Sequence, residues 1–118
     1  MRKPIVTFAV WAFALAGALA PANAEKAYGP GVSDTEILLG ANAPYSGPAS
    51  IYASFPKTML AYFTMLNEKG GINGRHINLL TRDDAYSPPK TVEVTRALVE
   101  NDKVLAIMAP FGTPTNAA

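Results

Sequence analysis

The sequence predicts an α/β protein built on a doubly wound parallel sheet. Three short apolar runs carry the expectation: Glu36–Ala41, His76–Thr81 and Val104–Ala109. Between them lie two segments whose apolar residues recur at three- and four-residue spacing. Glycine and proline cluster at the junctions, where the chain must turn. Strands separated by helices pair in parallel, because a parallel partner needs a long crossover connection.

Each element has its own local reason. Glu25–Ser33 is polar, with Gly29, Pro30 and Gly31, and reads as an extended lead-in. Glu36–Ala41 is nearly continuous in apolar residues, as suits a strand buried on both faces. Asn42–Phe55 is a loop with Pro44, Gly47 and Pro48. A helix follows, with Ser54 as expected N-cap and Pro56 in its first turn. Its expected buried stripe is Met59, Tyr62, Phe63 and Leu66. Gly70-Gly71 stops it, and Asn73-Gly74 is a tight-turn pair leading to the second strand. Asp83–Pro89 is a loop, and Lys90–Asn101 a helix with the stripe Val92, Thr95, Leu98 and Val99. Val104–Ala109 forms the third strand, and Pro110–Asn116 opens a further loop. In such sheets ligands bind outside the carboxyl ends of the strands. The three loops there are Asn42–Phe55, Asp83–Pro89 and Pro110–Asn116.

The first 24 residues have a different character. Arg2 and Lys3 precede an apolar run from Ile5 to Ala20, and Ala22-Asn23-Ala24 is an A-x-A site. That order describes a secretory signal peptide, with cleavage expected between Ala24 and Glu25. The run is shorter than the roughly 20 residues that span a bilayer. The chain has no cysteine, so the cleavage site is not that of a lipoprotein, and a soluble periplasmic protein is expected. The formal net charge of +1 includes the two cations Arg2 and Lys3, so the remainder carries −1. Such a balance argues against a nucleic-acid partner. Three strands are too few to complete the architecture, so residues 25–118 read as part of a longer domain.

Most chemical motifs are excluded or bland. Gly40–Gly47 does not match a dinucleotide or phosphate loop, and Gly70–Arg75 lies at the wrong end of the sheet. His76 is the sole histidine, so neither a metal centre nor a catalytic triad finds its partners. No cofactor is expected. Asp83 and Asp84 are adjacent carboxylates, for which loop capping is the expected role. Two clusters stand out. Pro44–Ala49 places Tyr45 and Ser46 after the first strand, and Pro110–Asn116 places Phe111, Gly112, Thr113 and Thr115 after the third. Hydroxyls and backbone N–H groups suit a carboxylate, and aromatics supply apolar walls.

These residues resemble the leucine/isoleucine/valine-type substrate-binding proteins of ABC transporters, which have the type I periplasmic binding fold. The resemblance lies in Glu36–Gly40 with Pro44–Pro48, Asn67–Arg75, Arg82–Pro88, Leu98–Val104 and Gly112–Asn116, in that order. It implies the first part of the first of two lobes, truncated after the third strand, that close on one ligand. It implies capture of an amino acid or a related small carboxylate or amide for an inner-membrane ABC permease. It implies ligand contacts from Phe111, Gly112, Thr113 and Thr115, from Tyr45, Ser46 or Tyr52, and from Tyr86 at the cleft edge. Many amino-acid binders carry consecutive serines after the third strand, where this chain has Phe-Gly-Thr-Pro-Thr. Related proteins bind amides, urea or aromatic acids. Two alternatives remain open: a ligand sensor of the same fold that docks on a signalling partner, and an exported α/β enzyme whose catalytic residues lie elsewhere.

Overall fold

A computed structural model describes residues 26–118 of the chain. The expected signal segment and the Ala24–Glu25 bond lie outside the described residues. Strand β1 (Glu36–Ala43) is central, flanked by β2 (His76–Asp83) and β3 (Ala106–Ile107), and both pairings are parallel. Glu36 sits opposite His76 and Ala43 opposite Asp83, while Leu39 and Gly40 sit opposite Ala106 and Ile107. The architecture is therefore the expected parallel α/β sheet.

Successive side chains of a strand point to opposite faces. On one face of β1, Ile37, Leu39 and Ala41 join Ile77 and Leu79 of β2 in the core. Helix α1 (Ser54–Glu68) covers this face with Phe63, Met59, Leu60 and Leu66. On the other face, a Cβ at Gly40 would stand 3.1–3.2 Å from Ile107, Leu98 and Val104. Glycine there lets Leu98, fully buried, pack down onto the sheet. Leu98 belongs to a wide turn, Ala97–Asn101, that continues helix α2 (Pro88–Arg96).

Several boundaries differ from the sequence reading, each for a tertiary reason. β1 and β2 run on to Ala43 and Asp83. A tight turn, Ser50–Ala53, leads directly into α1, whose N-cap is Ala53; Ser54 is inside the helix and caps nothing. Pro56 does occupy the first turn, and it is buried. Tyr62 is exposed, and Leu60 takes its place against the core. Helix α2 begins at Pro88 rather than Lys90, since two prolines fit the first positions, where no N–H is required. Thr91 and Leu98 are buried and Val94 and Thr95 half-buried, while Val92 and Val99 are exposed along a groove on the same side of the sheet. A buried acceptor for the Thr91 hydroxyl, described below, sets that rotation. β3 shrinks to two residues between left-handed Lys103 and Ala109, although Leu105 N–H and Met108 N–H still donate to Leu38 and Gly40 of β1. The loop after β3 closes in a short helical turn, α3 (Thr113–Asn116), where no helix was expected.

The connection from α1 to β2 follows its sequence closely. Gly70 and Gly71 take φ of 97° and 72°, and Gly71 N–H donates to Leu66 O. Asn73 and Gly74 both have positive φ inside paired Ile72–Arg75 hydrogen bonds, as a type I′ turn requires. Asn67, in the last turn of α1, then grips the outer side of β2. Its Nδ2 donates to Ile77 O at 2.8 Å, and Ile77 N–H donates to its Oδ1 at 2.8 Å. The amide thus satisfies both backbone groups of one residue of an outer strand. Asn67→Ala removes both bonds and is expected to destabilise the fold by about 2 kcal/mol. Urea denaturation of the full-length protein measures the loss.

Candidate functional site

Asp83 and Asp84 fasten the loops after β1 and β2 at the carboxyl edge. Asp83 closes β2 and turns toward the loop after β1. Its Oδ1 accepts from the N–H groups of Tyr45 at 2.9 Å, Ser46 at 3.1 Å and Ala85 at 2.9 Å. Its Oδ2 accepts from the Ser46 hydroxyl at 2.6 Å and from Lys90 Nζ at 3.2 Å. Burial pushes the Asp83 carboxyl up, but the Ser46 hydroxyl, the Ala85 and Ser46 N–H groups and Lys90 outweigh it. Together they hold it well below the usual carboxylate range. Asp84 turns the other way and is fully buried. Its Oδ2 accepts from Asn42 Nδ2 at 3.2 Å and from the Thr91 hydroxyl at 3.0 Å. Its Oδ1 accepts from Tyr86 N–H at 2.9 Å. The capping role expected for this pair is what the structure contains, extended to the anchoring of β1 and α2.

Each carboxylate also bonds the N–H two residues on, and the residues so held, Ala85 and Tyr86, take φ of 51° and 59°. Left-handed backbone costs about 1–2 kcal/mol at a residue with a Cβ. The two Asp side chains offset that cost, and the Tyr86 ring is delivered against Gly112. Gly112 has φ 106°, and a Cβ there would overlap the Tyr86 ring and the Thr115 hydroxyl. The loops after β2 and β3 therefore meet only because residue 112 lacks a side chain.

The site residues expected from sequence divide into two groups. Tyr52, Tyr86 and Phe111 come together from three loops. The Tyr52 and Phe111 ring centroids are 4.8 Å apart, and those of Tyr86 and Phe111 are 6.1 Å apart. Phe55 joins them at 6.5 Å from Phe111, a member that sequence reasoning missed. Its signal was its position three residues after Tyr52, which places both rings on one side of the helix entry. Thr113, two residues beyond Phe111, is exposed. The other group is engaged internally. The Tyr45 hydroxyl bonds Thr81 at 2.8 Å, and that of Ser46 bonds Asp83. Thr115 is buried, and its hydroxyl donates to the carbonyls of Phe111 and Gly112. His76 is exposed at the amino end of β2, away from these loops.

A separate groove of about 570 Å³ lies on the α2 side of the sheet, lined by Val92, Thr95, Val99, Ile107 and Asn116 among others. Asn42 reaches it, and its Oδ1 has no hydrogen-bond partner among the described residues. None of the four clustered rings lines this groove.

A depressed carboxylate pKa stabilises the fold above the unfolded value and loses that contribution as pH falls through the folded value. For Asp83 the contribution is complete above about pH 4 and declines below it. Asp83→Asn is expected to cost about 2 kcal/mol at neutral pH. It is also expected to flatten the loss of stability between about pH 4 and pH 2. Thermal unfolding of both proteins across that range checks both expectations.

The sequence profile described as "Periplasmic binding protein" matches residues 36–118. A curated relative, an amino acid binding protein of Pseudomonas aeruginosa, is 32% identical over 77 residues, covering 64% of this chain and 21% of the relative. Among solved structures, a fatty acid ABC transporter substrate-binding protein from Thermomonospora curvata is 35% identical with a TM-score of 0.65. It covers 74% of this chain and 22% of its own. A branched-chain amino acid transporter substrate-binding protein from Streptococcus pneumoniae, solved with isoleucine, is 27% identical with a TM-score of 0.66. It covers 70% of this chain and 24% of its own. The chain thus spans about a fifth of the length of the relatives it matches. Profile match, strand order and relatives agree, and the chain belongs to the periplasmic binding protein family.

Proposed function

We propose that this chain supplies one wall of the ligand cleft in a periplasmic substrate-binding protein. The protein captures an amino acid, or a related small carboxylate or amide, and delivers it to an ABC permease. The observation that carries this reading is the meeting of Tyr52, Tyr86 and Phe111, from three separate loops, at the carboxyl edge of the parallel sheet. That edge is where open α/β sheets bind ligands. The family membership and the relatives named as amino-acid or fatty-acid binders support it. The order of charge, apolar run and A-x-A site in residues 1–24 supports export.

The role is binding rather than catalysis. Ligand bound between two lobes favours the closed arrangement by its greater affinity for that state. Within this wall, aromatic rings exclude water from the apolar part of the ligand. The exposed Thr113 hydroxyl donates to a ligand carboxylate, a role that Ser46 and Thr115 leave to it because their own hydroxyls are engaged. Tyr45 and Ser46 act on the ligand indirectly, by fixing the loop that carries Tyr52.

Full-length protein is expected to gain about 2.7 kcal/mol of stability at a ligand concentration one hundred times the dissociation constant. Thermal unfolding with amino acids, amides and aromatic acids measures this, and no shift with any of them overturns the reading. Thr113→Ala is expected to weaken carboxylate binding by about 2 kcal/mol. Calorimetric titration giving an unchanged affinity removes Thr113 from the contact.

A further inference from the structure

The groove on the α2 side of the sheet joins apolar walls to one unmet polar atom. Val92, Val99, Ile107 and Pro110 line it, and Val92 and Val99 are 39% and 49% exposed. Asn42 of β1 also lines it. That residue is 1% exposed, and its Oδ1 accepts no hydrogen bond from the described residues. Native folds rarely leave a buried acceptor without a donor. A groove of about 570 Å³ with these walls calls for an occupant that brings apolar surface and one donor together.

The element nearest to supplying that occupant is α3. Pro114 lies in its first turn. Asn116 N–H donates to Gly112 O at 2.9 Å and Ala117 N–H to Thr113 O at 3.2 Å, the bonding pattern of an α-helix under way. So short a helix gains little by itself and needs further turns with a packed face. Ala117 and Ala118 favour its continuation, since alanine has the highest helix propensity. α3 packs against α2, and Thr115, Asn116 and Ala118 line the groove. A right-handed crossover from β3 to a strand beyond it also passes over the face that α2 covers. The chain spans about a fifth of the length of its relatives, so ample chain exists in such proteins to fill the groove.

We infer that in the full-length protein the residues following Ala118 continue α3 as an amphipathic helix seated in this groove. Its apolar face covers Val92, Val99 and Ile107, and a donor side chain on the same face reaches Asn42 Oδ1. Asn42 Nδ2 donates to Asp84, and Asp84 holds Tyr86 N–H. The added helix is thereby linked through one amide to the loop after β2.

The sequence that follows Ala118 is the first test. Apolar residues at three- and four-residue spacing over about twelve residues, with a donor side chain among them, are expected. A proline beyond the first turn, or no such spacing, overturns the inference. The second test is thiol labelling of full-length protein in its native state. Val99→Cys is expected to react with a maleimide at least about tenfold more slowly than Glu93→Cys, an exposed position of α2 outside the groove. Equal rates overturn the inference, and slowing that grows with protein concentration assigns the groove to a second copy and overturns it as well. A photoreactive benzophenone residue in place of Val99 then identifies the occupant. Cross-linking to the residues immediately after Ala118 is expected, and cross-linking to any other segment overturns the inference.

Discussion

Two neighbouring carboxylates at the end of β2 hold the carboxyl edge together. The alternation of a strand sends Asp83 to one side and Asp84 to the other, so a two-residue stretch serves two separate sets of partners. Asp83 gathers the loop after β1 through two N–H groups and a hydroxyl, and caps its own loop through the Ala85 N–H. Asp84 ties β1 to α2 through Asn42 and Thr91. Charged acceptors form stronger hydrogen bonds than neutral ones, which lets so few atoms order two loops and anchor α2. The backbone beyond them is left-handed at two non-glycine residues, and it stays so because each Asp also bonds the N–H two positions ahead.

The alternation also explains which parts of the structure were legible in the sequence. Strand order, the parallel pairing and the Gly70-Gly71 and Asn73-Gly74 turns rest on local backbone chemistry and on apolar runs, both visible in one dimension. The end of β1 was not visible. Asn42 is polar, so it read as loop; it is buried in a strand because Asp84, far along the chain, supplies its partner. The rotation of α2 fails for the same reason. Thr91 looks like a surface residue until the buried Asp84 carboxylate draws its hydroxyl inward, which leaves Val92 and Val99 exposed along the groove.

At the carboxyl edge, the side chains proposed from sequence divide into a ring cluster and a set of internally bonded hydroxyls. Tyr52, Tyr86 and Phe111, carried by three different loops, meet there. Hydroxyls were the harder problem. Ser46 and Thr115 have the chemistry to hold a ligand, and the same chemistry suits a nearby carboxylate or carbonyl of the protein. Which partner a hydroxyl takes is decided by tertiary placement, and composition carries no trace of it. Phe55 read as the last residue of a loop and drew no role; the structure places it in the first turn of α1, near Phe111. The carboxyl edge that results holds more clustered rings and fewer free hydroxyls than its sequence promised.

The Asn67 amide that grips Ile77 has a consequence for how the sheet meets other chains. An outer strand with bare N–H and C=O groups is a template for strand addition, and natural proteins blunt such edges. Here a helix lends a side-chain amide that imitates one residue of a neighbouring strand. A strand approaching β2 from outside must first displace it and strip two hydrogen bonds from Ile77. Among the described residues, this one side chain guards Ile77 on the β2 flank against strand addition or exchange.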